Sequence, residues 1–398
     1  MAAVNNKHIT TTKRRVPKLR FKEFDDEWKE KEFDEICIIK TGGRDTQDRK
    51  DEGEYPFFVR SNTVERIDTF SFDGEAILTS GDGVGVGKNF HYINGKFDYH
   101  QRVYALHTFH NNFSGKFAYH LFAEKFYRRV YRLSAKNSVD SVRMEMIAKM
   151  KEYFPSLPEQ QKIAQFLTAV DSKLQQLNQK KELLAQYKKG VMQQLFSQQL
   201  RFKKDDGSDY PDWEEKKLGE VLKYYDGTHQ TPNYVSEGIP FYSVEHVTSN
   251  QFINTKFISD EVFEKENKRV MLEKGDILMT RIGDIGTSRL IDWDVKASFY
   301  VSLALLKQNK SLNPSYLNQH ISSDSFQREL WKRTIHVAFP KKINLGEIGN
   351  CHVQLPCMEE QQKIANYLSA IDSKIETVTQ QIEATQQFKK GLLQQMFV

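Results

Sequence analysis

Three stretches of this chain carry residue types that suggest catalysis or nucleotide binding, and each departs from what the chemistry needs. Gly81 to Lys88, GDGVGVGK, has the look of a phosphate-cradling loop. Such a loop needs a glycine at 82 and a Ser or Thr at 89, so that backbone N–H groups and a hydroxyl reach the phosphates and their metal. The chain has Asp82 and Asn89 there, and no register of the stretch reads Gly-x-Gly-x-x-Gly. Asn313 to Tyr316, NPSY, comes within one residue of the Asn-Pro-Pro-Tyr element with which adenine methyltransferases grip an extruded base. It lacks the second proline, and no glycine-rich cofactor loop precedes it. Asn313 and Pro314 suit an N-cap and a first helical residue instead. Asp212 and Glu214, with Lys216, have nuclease residue types, but these carboxylates stand too close in sequence to share a metal. The cysteines, Cys37, Cys351 and Cys357, lack zinc-site spacing and suit a reducing compartment. The reading is a chain with no catalytic residues, no metal site and no cofactor of its own.

What remains is polar, cationic and aromatic material gathered in predicted loops. The first half offers Arg44, Arg60, Asn62, Lys88, Asn89, Lys136 and Asn137. The second offers Thr228, His229, Gln230 and Thr231, then Ser243 and His246, then Arg281, and finally His336, Lys341 and Lys342. Arg, Asn, Gln, His and Ser supply the donors and acceptors that read base edges, while Lys and Arg hold phosphates. Any one of these alone suits a solvated loop. The argument for a double-stranded DNA surface rests on both halves carrying such loops in similar places.

The elements that position these loops repeat. The stretch from Glu159 to Ser197 returns without a gap from Glu360 to Val398, an offset of 360 − 159 = 201, with about half the positions identical. Ile163, Leu167, Val170, Leu174 and Leu177 alternate three- and four-residue steps. Ile364, Leu368, Ile371, Ile375 and Val378 repeat the stripe, which is the narrow seam of a coiled coil. Lys188 and Lys389 interrupt it in both copies, and Lys181 in the first alone. Pro158 and Pro356 mark helix starts, and Ser156 with Glu159 has capping-box spacing. The stripe cannot be left wet, so the two helices are expected to pack on each other, antiparallel; a homodimerising coiled coil is the alternative. Gly190 and Gly391 recur after Lys-Lys. A mid-helix glycine costs about 1 kcal/mol, which suggests close approach of a partner or a C-cap that ends the helix early.

The non-helical parts repeat more faintly, with Leu19-Arg20-Phe21-Lys22 returning as Leu200-Arg201-Phe202-Lys203 before Trp28 and Trp213. Strands are expected at 76–80 and 276–280, 104–106 and 301–306, helices at 117–133 and 314–333, and a last strand region around Val142 and Ile147, and Ile343 and Ile348. The fold class is α+β: two similar mixed α/β domains joined by two long helices packed as an antiparallel coiled coil. The division runs 1–16, a basic arm; 17–155, a first domain; 156–198, a helix; 199–355, a second domain; and 356–398, a helix. Of 398 residues, 39% are hydrophobic, enough for ordinary cores, and no apolar run is long enough for a membrane span. The N-terminus lacks a signal-peptide core, so a cytoplasmic location is expected. A net charge of +5 permits a nucleic-acid partner without demanding one.

The repeated Glu-Gln-Gln-Lys-Ile-Ala with Leu167 and Asp171, and again with Leu368 and Asp372, resembles the conserved regions of type I restriction–modification specificity subunits. GTHQTPNY, GIPFYSV and KGDILMTRIGDIG in the second half also look like that family's recognition-domain phrases, whereas TGGRDTQ in the first half departs from them. The resemblance implies two target recognition domains reading a split site on double-stranded DNA. It also implies docking of two modification subunits that bring S-adenosylmethionine, with restriction subunits using ATP and Mg as optional further members. A stand-alone DNA-binding regulator and a coiled-coil scaffold without DNA are the competing readings.

Overall fold

The computed structural model describes residues 16–133 and 141–398. The expected basic arm up to residue 15, and the candidates Lys136 and Asn137, lie outside the described residues. Two compact units result, one combining the chain up to Asn178 with Gln380–Val398, the other being Gln179–Thr379.

In the first unit six strands form one sheet, in the order Ile38–Thr41, Val103–His107, Phe72–Ser80, Phe90–Tyr99, Tyr55–Phe58, Val64–Ile67. Neighbours are antiparallel except Tyr55–Phe58 against Phe90–Tyr99. The central strand is buried on both faces. Ile77 joins a core with Phe117, Leu121 and Phe122 of the helix Gly115–Leu133, while Ala76 and Leu78 join a second core with Phe97 and Val103. Successive side chains point to opposite faces, so a strand covered on both sides reads as continuously apolar.

The second unit keeps that strand order but cuts the sheet. Tyr224–Asp226, Leu303–Leu306, Ile277–Ile282 and Asp284–Leu290 make four strands, and Ser298–Phe299, Ile239–Tyr242 and Lys256–Ile258 make three. The single long strand Phe90–Tyr99 is replaced by two, separated by residues 291–297. The expected helix over 314–333 is also two, Pro314–Ile321 and Asp324–Arg333. Ser323 breaks it by accepting from the Phe326 N–H, as a fresh N-cap. Ile147 and Ile348 lie in short helices, Met144–Ala148 and Leu345–Gly349, not in strands. The strands come just after, and Lys151–Phe154 and His352–Leu355 pair with Lys29–Glu32 and Glu214–Lys217.

The long helices are Leu157–Phe196 and Met358–Met396, of 40 and 39 residues. Both run unbroken through their glycines, which overturns the early C-cap at Gly190 and Gly391. Among the described residues, no close approach replaces it. A Cβ at Gly190 would meet nothing within 4 Å, and one at Gly391 only the Gln395 amide at 3.9 Å. In the first unit Ile163, Leu167 and Val170 bury with Leu392 and Met396; in the second, Ile364, Leu368 and Ile371 bury with Val191 and Leu195. Leu177 and Val378 are buried too, and Ile375 packs partly buried on the second unit's core. Each unit taken alone pairs the start of one long helix with the end of the other, the pairing that antiparallel partners require.

The two lysines that interrupt the stripe in both copies have a function in this packing. Lys389 meets the Asp171 carboxylate at 2.5 Å in the first unit, and Lys188 meets Asp372 at 2.6 Å in the second. A cation can occupy a seam position when a carboxylate comes with it. The repeated Glu-Gln-Gln-Lys resolves the same way. Arg20 grips the fully buried Glu159 through two bonds of 2.7 Å, and Arg201 grips the fully buried Glu360 at 3.2 and 2.8 Å. These are fork-to-carboxylate pairs, and they correct the capping box, because the Glu159 carboxylate is spent on Arg20. Gln160 donates to the Pro155 and Asn112 carbonyls and accepts from the Ser114 N–H. Gln361 donates to the Pro356 carbonyl and accepts from the Asn313 N–H. Lys162 pairs with Glu23, and Lys363 with Asp205 at 2.7 Å. The glutamate, the first glutamine and the lysine of the signature thus tie each helix to its own unit's domain, while Gln161 is exposed.

Candidate nucleic-acid interface

One backbone frame carries the candidate residues in both units. It is built where the turn after the outer strand (Ile38–Thr41 or Tyr224–Asp226) crosses the end of the parallel pair. A Cβ at Gly42 would lie 1.9 Å from the Tyr99 carbonyl oxygen, and one at Gly227 would lie 2.1 Å from that of Phe299. Only glycine fits such contacts. Just beyond, the Gln101 N–H donates to the Arg44 carbonyl at 2.8 Å and the Val301 N–H to the Thr228 carbonyl at 3.0 Å. Arg44 therefore stands where Thr228 stands, and TGGRDTQ has the same backbone role as GTHQTPN despite its different residues.

In the first unit this frame gathers three arginines around two aspartates. Arg44 donates to Asp98 at 3.1 Å and to Thr69 at 3.0 Å. Arg60 donates to Asp82 at 3.1 Å, and Arg102 lies 3.7 Å from the same carboxylate. The Arg60 and Arg102 side chains remain 47% and 65% exposed, so both keep donors free for a ligand. Asn62 and Lys88 are exposed, whereas Asn89 is buried and donates to the Arg60 carbonyl at 3.1 Å. Asn89 therefore shapes the loop from behind. Sequence reasoning missed Arg102, which sits in the tight turn after His100; an arginine between two strands was the available signal.

In the second unit Asp226 is the organiser. It accepts from Arg269 at 2.6 Å and meets the His229 ring at 2.9 Å. Burial opposes its ionisation, but the Arg269 and His229 hydrogen bonds prevail and hold its carboxyl below the usual range. A cleft of about 460 Å³ opens beside it, lined by Thr228, His229, Gln230, Lys265 and Arg269. Lys265 and Arg269 escaped the sequence reading because they lie on and just after a short helix, not in a predicted loop. Thr228 is buried and its hydroxyl donates to Glu266, while Gln230 and Thr231 are exposed. Ser243 and His246 face each other across the start of the short helix Val244–Ser249, with the Ser243 N–H donating to His246 Nδ1 at 2.9 Å. They hold that helix end together.

Arg281 points inward. It is 9% exposed, donates to the Val301 carbonyl at 2.9 Å and the Ile343 carbonyl at 3.3 Å, and lies 3.7 Å from Asp226. His336, Lys341 and Lys342 are exposed on the loop that Arg281 supports from below. Asn313 accepts from the Tyr316 N–H with Pro314 in the first turn, as the N-cap reading requires. Among the described residues, no group of three or more His, Cys, Asp or Glu side chains could hold a metal, and no helix is long and apolar enough to cross a membrane. Burial pushes the Cys37 and Cys351 thiols up to about 12, which leaves both unreactive.

A family model for the type I restriction modification DNA specificity domain matches residues 25–186 and, a second time, residues 210–386. The chain belongs to this family. It is 26% identical over 268 residues to the type I restriction enzyme MjaVIII specificity subunit of Methanocaldococcus jannaschii, covering 64% of this chain and 63% of that one. To the putative MjaX specificity subunit of the same organism it is 26% identical over 280 residues, 67% of this chain and 63% of the relative. The matched part thus spans a little under two thirds of the length of these relatives. The fold is similar to the crystal structure of a type I restriction–modification S subunit from M. genitalium, with a TM-score of 0.68 and 18% identity, covering 96% of this chain and 99% of the other. The two family matches fall on the two halves that carry the repeated frame.

Proposed function

We propose that this chain is the non-catalytic, sequence-specific DNA-binding subunit of a type I restriction–modification complex, each domain reading one half of a bipartite target. Residues 17–155 and 199–355 are the two readers, and 156–198 and 356–398 are the helices that carry them. Two modification subunits dock on the chain and supply S-adenosylmethionine, and restriction subunits supply ATP and Mg when they join. Half-buried Arg44 and the exposed candidates Arg60, Asn62, Lys88, His229, Gln230, Thr231, His336, Lys341 and Lys342, with Arg102, Lys265 and Arg269, are the contact set. Thr228, Asn89, Ser243, His246 and Arg281 shape the loops that present them.

The observation that carries this reading is one frame, built twice from the same backbone contacts and furnished with different cations and hydrogen-bonding groups. Two like frames with unlike side chains suit two unlike half-sites. The test is to replace residues 199–355 with the corresponding domain of another family member and to sequence the methylome of cells that also make the modification subunit. One half of the methylated site should change and the other stay. A change in both halves, or in neither, overturns the assignment.

A further inference from the structure

We propose that the loop 336–340 is an apolar wedge that enters the duplex, with Phe339 packing against a base at an opened step. The proposal rests on the DNA-reading function above and adds to it a residue class that base-edge reading does not use. Val337 and Phe339 are 96% and 103% exposed, and Phe339 is the most exposed large hydrophobic side chain among the described residues. Single exposed apolar side chains are ordinary; here Val337 and Phe339 share one short loop with exposed Trp331 against its His336, and clustered exposed apolar surface is what marks a contact site.

The base of the loop is fixed while its tip is free. The Ile335 N–H donates to the Lys342 carbonyl at 2.7 Å, and the Gly283 N–H donates to the Lys341 carbonyl at 2.8 Å. Beneath them the Ile343 N–H donates to the Arg281 carbonyl at 3.0 Å. The Arg281 guanidinium returns a bond to the Ile343 carbonyl at 3.3 Å. The tip is thus carried on the end of the strand Ile277–Ile282.

What surrounds the tip selects the occupant. Arg328, Lys341, His336 and Trp331 line one cleft of about 490 Å³ beside the loop. Trp331 is 65% exposed, and its ring lies 4.8 Å from that of His336. Two carboxylates also line the cleft. Asp284 accepts from the Thr280 hydroxyl at 2.8 Å, and Asp324 sits in the first turn of its helix, where the backbone dipole favours it. An apolar tip ringed by cations and exposed rings suits a polyanion with flat faces between its charged edges. Proteins that insert Phe or Pro between base steps combine the same two features, with cations on the phosphates and a wedge in the stack.

The test uses the full chain assembled with its modification subunits. The probe is a duplex bearing the site found by methylome sequencing, with 2-aminopurine placed in turn along the half-site and its flanks. Wild-type complex should brighten the probe at one step, as unstacking relieves quenching. Phe339→Ala should abolish that brightening and weaken binding about ten-fold, in the range of losing one base–aromatic stack. Because Phe339 is exposed, the substitution should leave thermal unfolding unchanged. Lys341→Ala with Lys342→Ala should weaken binding and lower the salt slope by about 1 to 2, yet keep the brightening at saturation. Unchanged affinity and brightening in Phe339→Ala would overturn the wedge. So would loss of the modification subunits from that variant in the absence of DNA, which would make the loop a protein contact. Failure of the wild-type complex to bind DNA at all would instead bring down the functional reading itself.

Discussion

In the first unit Gly81 directly follows the central strand, and in the second Arg281 occupies the matching position, at the end of the strand Ile277–Ile282. The backbone bonds around the two are the same. The Gly81 N–H donates to the Arg102 carbonyl at 2.7 Å and its carbonyl accepts from Val142 at 2.7 Å; Arg281 does so with Ser302 at 2.9 Å and Ile343 at 3.0 Å. A Cβ at Gly81 would lie 2.8 Å from the Arg102 carbonyl oxygen and 3.0 Å from the Tyr104 ring, so no side chain fits there. The first unit supplies its cation from Arg102, one strand over and facing out, while the second turns Arg281 inward and exposes the 336–340 loop. The frame is thus held by backbone bonds and close contacts. The chemistry at its rim is free to change position as well as residue type.

The largest effects are expected at the buried carboxylates that both units share. Glu159→Ala and Glu360→Ala each leave an arginine fork without its carboxylate, and each should cost about 3–5 kcal/mol in urea unfolding. The two should differ in one respect. Glu360 also accepts from Trp213 Nε1 at 2.9 Å, whereas the buried Trp28 Nε1 has no partner among the described residues. Glu360→Ala should therefore be the more damaging, and equal losses would show that the Trp213 bond contributes nothing.

A second test lies where His120 of the first unit faces Asp171 at 3.9 Å and Gln319 of the second donates to Asp372 at 2.6 Å. Burial pushes His120 down to about 4, with Lys389 and Lys116 acting in the same direction and Asp171 opposing. The folded chain leaves this ring neutral where the unfolded chain protonates it, so stability falls as pH drops from about 6.5 towards 4. His120→Gln, which copies the second unit, should remove up to about 3 kcal/mol of that loss. His320, pushed to about 4 by burial in the second unit, and His91, His100 and His107, each lowered by burial, keep acid sensitivity of their own. Denaturant midpoints of both proteins at pH 7 and pH 4.5 measure the difference; an unchanged pH dependence would mean His120 is not a source of acid sensitivity.

Arg281→Ala sharpens the contrast between inward and outward cations. It should lower the stability of the folded chain by about 1–3 kcal/mol, because two buried carbonyls lose a charged donor. Arg102→Ala should leave stability nearly unchanged and weaken DNA binding instead. The reverse pattern would make Arg281 the direct contact. The smallest effect is expected at the glycines that the two long helices share. Gly190→Ala and Gly391→Ala place a methyl in open space and should each stabilise the chain by about 1 kcal/mol. Weaker assembly with modification subunits, alongside that gain, would show that a partner uses the space.

Much of the frame was legible in the sequence because its causes are local. Residues three and four apart share a helix face, so Ile163, Leu167 and Val170 announced a buried stripe without any partner in view. The ungapped repeat announced that whatever covers one stripe must have a counterpart for the other. Asn313 with Pro314 announced a helix start. The stripe and the helix start act within a few residues, and packing did not overrule them.

The tertiary structure decided which way each polar residue faces and what each one meets. Lys188 is a flaw in the stripe by periodicity alone; its partner Asp372 is 184 residues away, and only packing brings the two together. Asn89, His246 and Arg281 look like loop donors in the sequence, yet all three are buried, because loop backbone needs its own supports and polar side chains supply them. Val337 and Phe339 are apolar and yet stand in water, in the loop where the sequence places His336 and Lys342. Residue type sets what a side chain can do, while the direction of the chain at that point, fixed by bonds from distant strands, sets whether it does so inside the fold or beyond it.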